Sequence, residues 1–169
     1  MSIEVIDNFL KEEDFVKIEE SFLSSDTPWY HYDFKVSPDE SEKNIFYESQ
    51  MVHLIYNEMT PSHMYPLIIP AVRKLKVASL IKAKANLTSA WHKVEKFSVH
   101  TDNPYNNCKT SILYVNSNNG KTEFPETNES IESVRNRMVI FPSGTPHLGT
   151  THTDSKIRVV INFNFFDGM

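Results

Sequence analysis

The run Lys156-Ile157-Arg158-Val159-Val160-Ile161-Asn162-Phe163-Asn164-Phe165-Phe166 decides how this chain is read. It is rich in β-branched and aromatic residues, lacks glycine and proline, and alternates with a period of two, as a strand does. Val159, Ile161, Phe163 and Phe165 fall on one face, and Arg158, Val160, Asn162 and Asn164 on the other. The apolar face is fit to pack against helices. The second face carries an arginine and two amides, and it meets either water or something enclosed and polar.

Upstream of that strand, runs of the same character alternate with Asn, Gly and Pro turns: Leu80 to Leu87, Lys93 to Val99, Thr110 to Val115 and Met138 to Phe141. Before residue 80 the pattern is more helical. Ile3 to Ile6 reads as a short strand, Asp7 or Asn8 as a cap, and the following segment as a helix carrying Leu10, Phe15, Ile18, Phe22 and Leu23, which recur at helical spacing from Phe15 onward. A further strand is expected within Trp29 to Val36. Ser49 to Met59 and Tyr65 to Ser79 read as two helices around Thr60-Pro61-Ser62, the second starting at Pro70 if that proline is excluded from its interior. Helices first and strands later predict an α+β fold with a sandwich or barrel of antiparallel strands. With no repeat or long linker, residues 1–169 are expected to form one domain, with helix-rich support over 1–79 and a β core over 80–169.

Composition narrows the function. The chain has 169 residues, 40% apolar and 23% charged, which is ordinary for a globular domain. Lys plus Arg number 17 against 22 Asp plus Glu, a formal charge of -5, and this argues against a binder of nucleic-acid phosphates. Cys108 is the single cysteine, so neither an internal disulfide nor a cysteine zinc site is available, and a packing role is expected for it. The N-terminus lacks a basic leader followed by an apolar run, and apolar stretches such as Tyr65 to Val72 fall short of the ~20 residues of a membrane span. A cytoplasmic protein with no membrane partner is expected, as a monomer or homodimer.

His-x-Asp on a strand places an imidazole and a carboxylate on one face. A second histidine from a distant strand would complete a 2-His-1-carboxylate set, which leaves open positions on a divalent metal. The tripeptide alone is weak, arising by chance in roughly one chain of three at this composition. Three copies occur: His31-Tyr32-Asp33, His100-Thr101-Asp102 and His152-Thr153-Asp154. His152 has no histidine after it, and beside the Asp154-Ser155 turn it is expected to face solvent. His31 is followed by His63 and Arg73 in segments read as loop and helix, so it is expected to be half-buried in an aromatic stretch. His100 ends the Lys93 to Val99 run and is followed by His147 and by Arg158.

The residues around His100 resemble the 2-oxoglutarate- and iron(II)-dependent oxygenases, nearest the prolyl 4-hydroxylase branch. The similarity to animal oxygen-sensing prolyl hydroxylases runs through His100-Thr101-Asp102-Asn103-Pro104 and Ile112-Leu113-Tyr114-Val115-Asn116. It continues with Asn119-Gly120 through Phe124-Pro125-Glu126, then Pro146-His147 and Arg158-Val159-Val160-Ile161-Asn162. The resemblance implies a double-stranded β-helix, or jelly roll, buttressed by helices. It implies that His100, Asp102 and His147 bind Fe(II), that Arg158 receives the distal carboxylate of 2-oxoglutarate, and that Tyr114 adds a hydrogen bond. Asn162 stands where the oxygen sensors carry a hydroxyl-bearing residue, and it is a further cosubstrate-binding candidate.

Three to four residues at ~3.3 Å each separate the levels of His147 and Arg158, on the order of 10 Å and enough for a five-carbon diacid. Arginine suits that end, because its guanidinium forks onto a carboxylate and stays charged when buried. The implied activity is hydroxylation of a C–H bond, of a prolyl residue or a free amino acid, with O2 consumed, succinate and CO2 released, and ascorbate as a candidate reductant. The substrate is expected to be a small molecule or a peptide. The alternative is a non-catalytic or metal-independent jelly-roll binding module of cupin type. The gap from His147 to Arg158 is slightly longer than in many relatives, and Asn119-Gly120 replaces a common pair of glycines. Neither departure removes a metal ligand.

Overall fold

The computed structural model describes residues 2–33, 48–103 and 105–168. Thirteen elements follow in chain order: β1 (Glu4–Ile6), α1 (Glu12–Phe22), β2 (Tyr30–Tyr32), β3 (Gln50–Asn57), β4 (Thr60–Pro61), α2 (Tyr65–Lys74), β5 (Val77–Ser89), β6 (Lys109–Tyr114), β7 (Asn118–Phe124), β8 (Glu129–Ser133), β9 (Arg137–Pro142), β10 (Leu148–Gly149) and β11 (Ile157–Asp167). The large sheet runs β1-β9-β6-β11-β5-β3-β2 with β4 on β3, and the small sheet runs β10-β7-β8. Every pairing between these strands is antiparallel. The two sheets enclose a core of their own, where Phe124 of β7 meets Ile112, Tyr114, Val139, Phe141 and Val160 of the large sheet. This is the double-stranded β-helix.

β11 organises both layers, as its alternation predicts. Val159, Ile161, Phe163 and Phe165 join Phe15, Ile18 and Phe22 of α1 and Ile68 and Ala71 of α2 in the larger core. That core extends from Phe9 to Phe165. Arg158, Val160 and Asn162 point the other way and line a cleft between the sheets. The second face of β11 therefore meets an enclosed polar space rather than bulk water.

Several boundaries differ from the sequence expectation, each for a physical reason. Ser49 to Met59 forms the strand β3 instead of a helix. A register shift between Leu54 and Tyr56 leaves Ile55 as an extra, fully buried residue. That bulge breaks the period of two and imitates helical spacing. Glu58 and Met59 both take positive φ, closing a two-residue hairpin into β4. α2 starts at Tyr65 and keeps Pro70 inside, but it stops at Lys74; Leu75 caps it and Lys76 turns left-handed to begin β5. Asp7 and Asn8 do not cap α1. Asn8 adopts positive φ after β1, and the helix begins at Glu12 with three acids in its first turn, matching the helix dipole.

Lys93 to Val99 is extended yet is no regular strand; isolated bridges join Lys96 to Thr150 and His100 to His147. Of the strand expected over Trp29 to Val36, only Tyr30–Tyr32 is seen, and residues 34–36 lie outside the described residues. The hairpin β7–β8 was not anticipated as strands, because its Asn, Gly, Lys and Glu content masks the alternation. Cys108 is buried and accepts a hydrogen bond from Ser143 Oγ (3.2 Å), in keeping with a packing role. Among the described residues no helix is long and apolar enough to cross a membrane.

Candidate metal centre

His100, Asp102 and His147 converge. One ligand atom from each lies within 4.8 Å of the others. His100 Nε2 is 3.9 Å from Asp102 Oδ1, and His147 Nε2 is 3.9 Å from Asp102 Oδ2. The backbone creates this meeting: His100 and His147 exchange two N–H to carbonyl bonds of 2.9 Å, and the Asp102 N–H donates to the Ser143 carbonyl. Residues 47 positions apart in sequence thereby sit side by side, with ring centroids 4.5 Å apart.

The tautomers follow from acceptor chemistry. His147 Nδ1 faces the Thr145 carbonyl at 2.9 Å and His100 Nδ1 the Ser98 carbonyl at 3.2 Å. A carbonyl only accepts, so each Nδ1 carries the hydrogen and each Nε2 keeps a lone pair. Burial, then the neighbouring His147, pushes the His100 pKa down, against smaller opposing effects of the Ser98 carbonyl and Asp102. Neutral His100 is therefore favoured at neutral pH. Asp102 Oδ2 accepts from Thr110 Oγ1 at 2.8 Å, with Asn164 Nδ2 at 3.4 Å, which fixes the carboxylate plane. Two neutral imidazole nitrogens and one carboxylate fit a divalent transition metal and leave its remaining positions open.

The triad opens onto a cleft of about 260 Å³. Arg158 lies at its closed end, 6% exposed, with Nε donating to Ser133 Oγ at 2.8 Å. No carboxylate among the described residues pairs with it, and burial pulls the guanidinium below the usual arginine range. A buried cation without an anion is costly, so this end is built to receive one. Its walls are close. A Cβ on Gly120 would lie 2.8 Å from Arg158 Cδ, and one on Gly149 would lie 3.1 Å from the Phe97 ring. Among the described residues Asn86 Oδ1, Thr88 Oγ1 and Asn162 Oδ1 are buried without a hydrogen-bond partner along the same cleft, and Thr88 is the register partner of Arg158 on β5. A dicarboxylate reaching from Arg158 to the triad fits these groups.

Tyr114 is fully buried behind this wall. Its hydroxyl donates to Thr122 Oγ1 at 2.7 Å, and its ring centroid lies 5.6 Å from the Arg158 guanidinium carbon. Thr122, rather than Tyr114, lines the cleft. The other triplets lie apart. His31 is exposed, not half-buried, because β2 is an outer strand; its Nδ1 is 3.4 Å from Asp33. His152 is buried rather than facing solvent. Its carbonyl accepts from Trp91, and the adjoining Thr151 N–H donates to Glu95, which holds residues 91–97 across it.

Sequence reasoning did not single out Thr110, Ser143, Lys82, Lys84 or Thr88. The alternation of β5, with Lys82, Lys84, Asn86 and Thr88 against Ala83, Ala85 and Leu87, was the signal that would have found the last three. Thr110 and Ser143 have no local signature.

Solved structures share the fold. A 2-oxoglutarate oxygenase-family oxidoreductase from Burkholderia pseudomallei matches with a TM-score of 0.67 at 8% identity, covering 97% of this chain and 84% of that one. A prolyl hydroxylase from Trichoplax adhaerens, solved with a hypoxia-inducible-factor peptide, matches at 0.63 and 14%, covering 98% and 83%. The fold is that of the 2-oxoglutarate- and iron(II)-dependent oxygenases. Within that oxygenase fold, the viral collagen prolyl hydroxylase of Paramecium Bursaria Chlorella virus-1, solved with 2-oxoglutarate, matches at 0.62 and 13%, covering 97% of this chain and 95% of that one. By sequence, no family model and no curated protein matches the chain.

Proposed function

We propose that this chain is an Fe(II)- and 2-oxoglutarate-dependent dioxygenase acting as one domain, which hydroxylates a C–H bond of a prolyl residue or free amino acid. The observation that supports it most is the pairing of the His100-Asp102-His147 cluster with a buried, unpaired Arg158 in one cleft. His100 Nε2, Asp102 and His147 Nε2 would hold Fe(II). Arg158 would fork onto the distal carboxylate of 2-oxoglutarate, and the Thr88 hydroxyl beside it is free to donate. Tyr114 would act through Thr122, keeping that hydroxyl and the guanidinium in place. Asn162 would line the path between them. When bound, ferrous iron supplies the redox chemistry that couples O2 to oxidation of the keto acid, giving succinate and CO2. The chain's own part is to orient the two ligands, bury the cosubstrate and exclude water. Solved structures of the same fold that hold 2-oxoglutarate or a peptide fragment support this reading over a cupin-type binding module.

The test is succinate release from 2-oxoglutarate, with Fe(II) and ascorbate, against prolyl peptides and free amino acids. Arg158→Ala leaves a carboxylate unpaired in the cleft, expected to cost about 2–5 kcal/mol of cosubstrate binding and to raise the 2-oxoglutarate KM accordingly. Unchanged turnover of Arg158→Ala at low 2-oxoglutarate would overturn its assignment. No succinate with any candidate would favour the binding module.

A further inference from the structure

We propose that Lys82 and Lys84 are the substrate-recognition element of this cleft and that they select a substrate bearing a carboxylate. The inference rests on the oxygenase reading above. Ala83 and Ala85 of β5 are buried in the core beneath the large sheet, so the alternating Lys82 and Lys84 project the other way, and both line the cleft. In register, Lys84 lies opposite Asn162 and Lys82 opposite Asn164, and Asn164 Nδ2 reaches Asp102 Oδ2. The two lysines thus stand at the level of the metal-ligating cluster. Arg158 lies four to six residues further along β11, roughly 13–20 Å at 3.3 Å per residue. Lys82 and Lys84 are half-buried whereas Arg158 is 6% exposed, so cosubstrate spanning from Arg158 to the metal would leave the lysines to the substrate.

Charge supports the assignment. Among the described residues no carboxylate lies within ion-pair distance of either lysine. Burial, then Lys82, pushes the Lys84 ammonium down, and Asp102 offsets this only in part. Ferrous iron, Asp102, the two carboxylates of 2-oxoglutarate and Arg158 balance to zero. Among the described residues the lysines then remain as positive charge with no carboxylate paired to them, in a chain whose formal charge is -5. A cleft of about 260 Å³ that already takes a five-carbon diacid leaves room for a compact anion, which favours a carboxylate over a bulky phosphate ester. Such a group has two sources, the α-carboxylate of a free amino acid or an acidic side chain beside the reacting residue of a peptide.

The experiment uses the whole chain loaded anaerobically with Fe(II) and 2-oxoglutarate, followed by its visible absorption. It is titrated by calorimetry with matched pairs: proline and prolinamide, glutamate and glutamine, and prolyl tripeptides ending in amidated Glu or Gln. At least one carboxylate is expected to bind roughly tenfold or more tightly than its amide, and Lys82→Gln/Lys84→Gln is expected to lose that preference. The responding pair tells amino acid from peptide. The inference is overturned if cosubstrate loads but no pair shows the preference, including no binding at all, or if the preference survives in the double variant. It is also overturned if Lys84→Gln alone prevents loading, since Lys84 would then serve 2-oxoglutarate. Failure of the wild type to load would instead bring down the oxygenase reading itself.

Discussion

Thr110 Oγ1 donates to Asp102 Oδ2 at 2.8 Å, so a residue near the start of β6 sets the orientation of a carboxylate that lies outside any strand. Thr110 also contacts Ser143 Oγ at 3.0 Å and accepts from Asn164 Nδ2 at 2.9 Å. These contacts tie the Asp102 turn to β6, β11 and the segment after β9. The carboxylate is aimed before any metal arrives, which lowers the ordering cost of binding.

Thr110→Val keeps the shape and removes the hydroxyl. Metal affinity is expected to fall roughly 10- to 100-fold, the usual effect of losing a partner behind a ligand. Titration of the apo protein with Mn(II), followed by electron paramagnetic resonance, checks this. An affinity equal to wild type would show that Asp102 is held by other means.

Gly120→Ala probes the closed end. The added Cβ would lie 2.8 Å from Arg158 Cδ and 2.9 Å from Asn118 Oδ1, so the guanidinium must shift. A roughly tenfold or greater loss of 2-oxoglutarate affinity is expected, with Mn(II) affinity within about twofold of wild type. Equal losses of both would place the damage in the fold and not at Arg158.

The strand that frames the site was plain in the sequence because β11 is long, unbroken and two-faced, so Val159 and Arg158 could be sent in opposite directions without coordinates. His100, Asp102, His147 and Arg158 were reachable through motif spacing. β3 was not, because the bulge at Ile55 shifts the apolar phase by one residue midway. The β7–β8 hairpin was hidden for a different reason: its outer face is charged and its inner face carries Asn118, Gly120 and Thr122 in place of large apolar residues. Thr110 and Asn164 stand 8 and 62 positions from Asp102, and Ser143 stands 33 from Thr110, so no local pattern encodes these contacts.

Stability of the apo protein should depend on pH through His100. Its folded pKa lies below the ordinary value of 6.5, because burial and His147 disfavour the imidazolium. As pH falls below 6.5 the unfolded chain takes up a proton that the folded chain refuses, so this contribution is intact above that value and is lost on acidification. Urea midpoints measured between about pH 5.5 and 7.5 should decline toward acid. His100→Asn should flatten that part of the curve; an unchanged slope would assign it to other groups.

Phe163 ties the site strand to both helices from the fully buried side of β11. Phe163→Ala is expected to cost about 3–5 kcal/mol in chemical denaturation. A cost below about 1 kcal/mol would mean that the helices are not a supporting layer for the sheet.

The claim on which the rest depends is that His100, Asp102 and His147 bind one ferrous ion to which 2-oxoglutarate can chelate. Anaerobic addition of Fe(II) and 2-oxoglutarate, read as a visible charge-transfer absorption, tests it directly. The wild type is expected to develop the band, and His147→Ala and Asp102→Ala are expected to lose it while keeping the wild-type circular dichroism. A colourless wild type, or a band of undiminished intensity in both variants, would contradict the account.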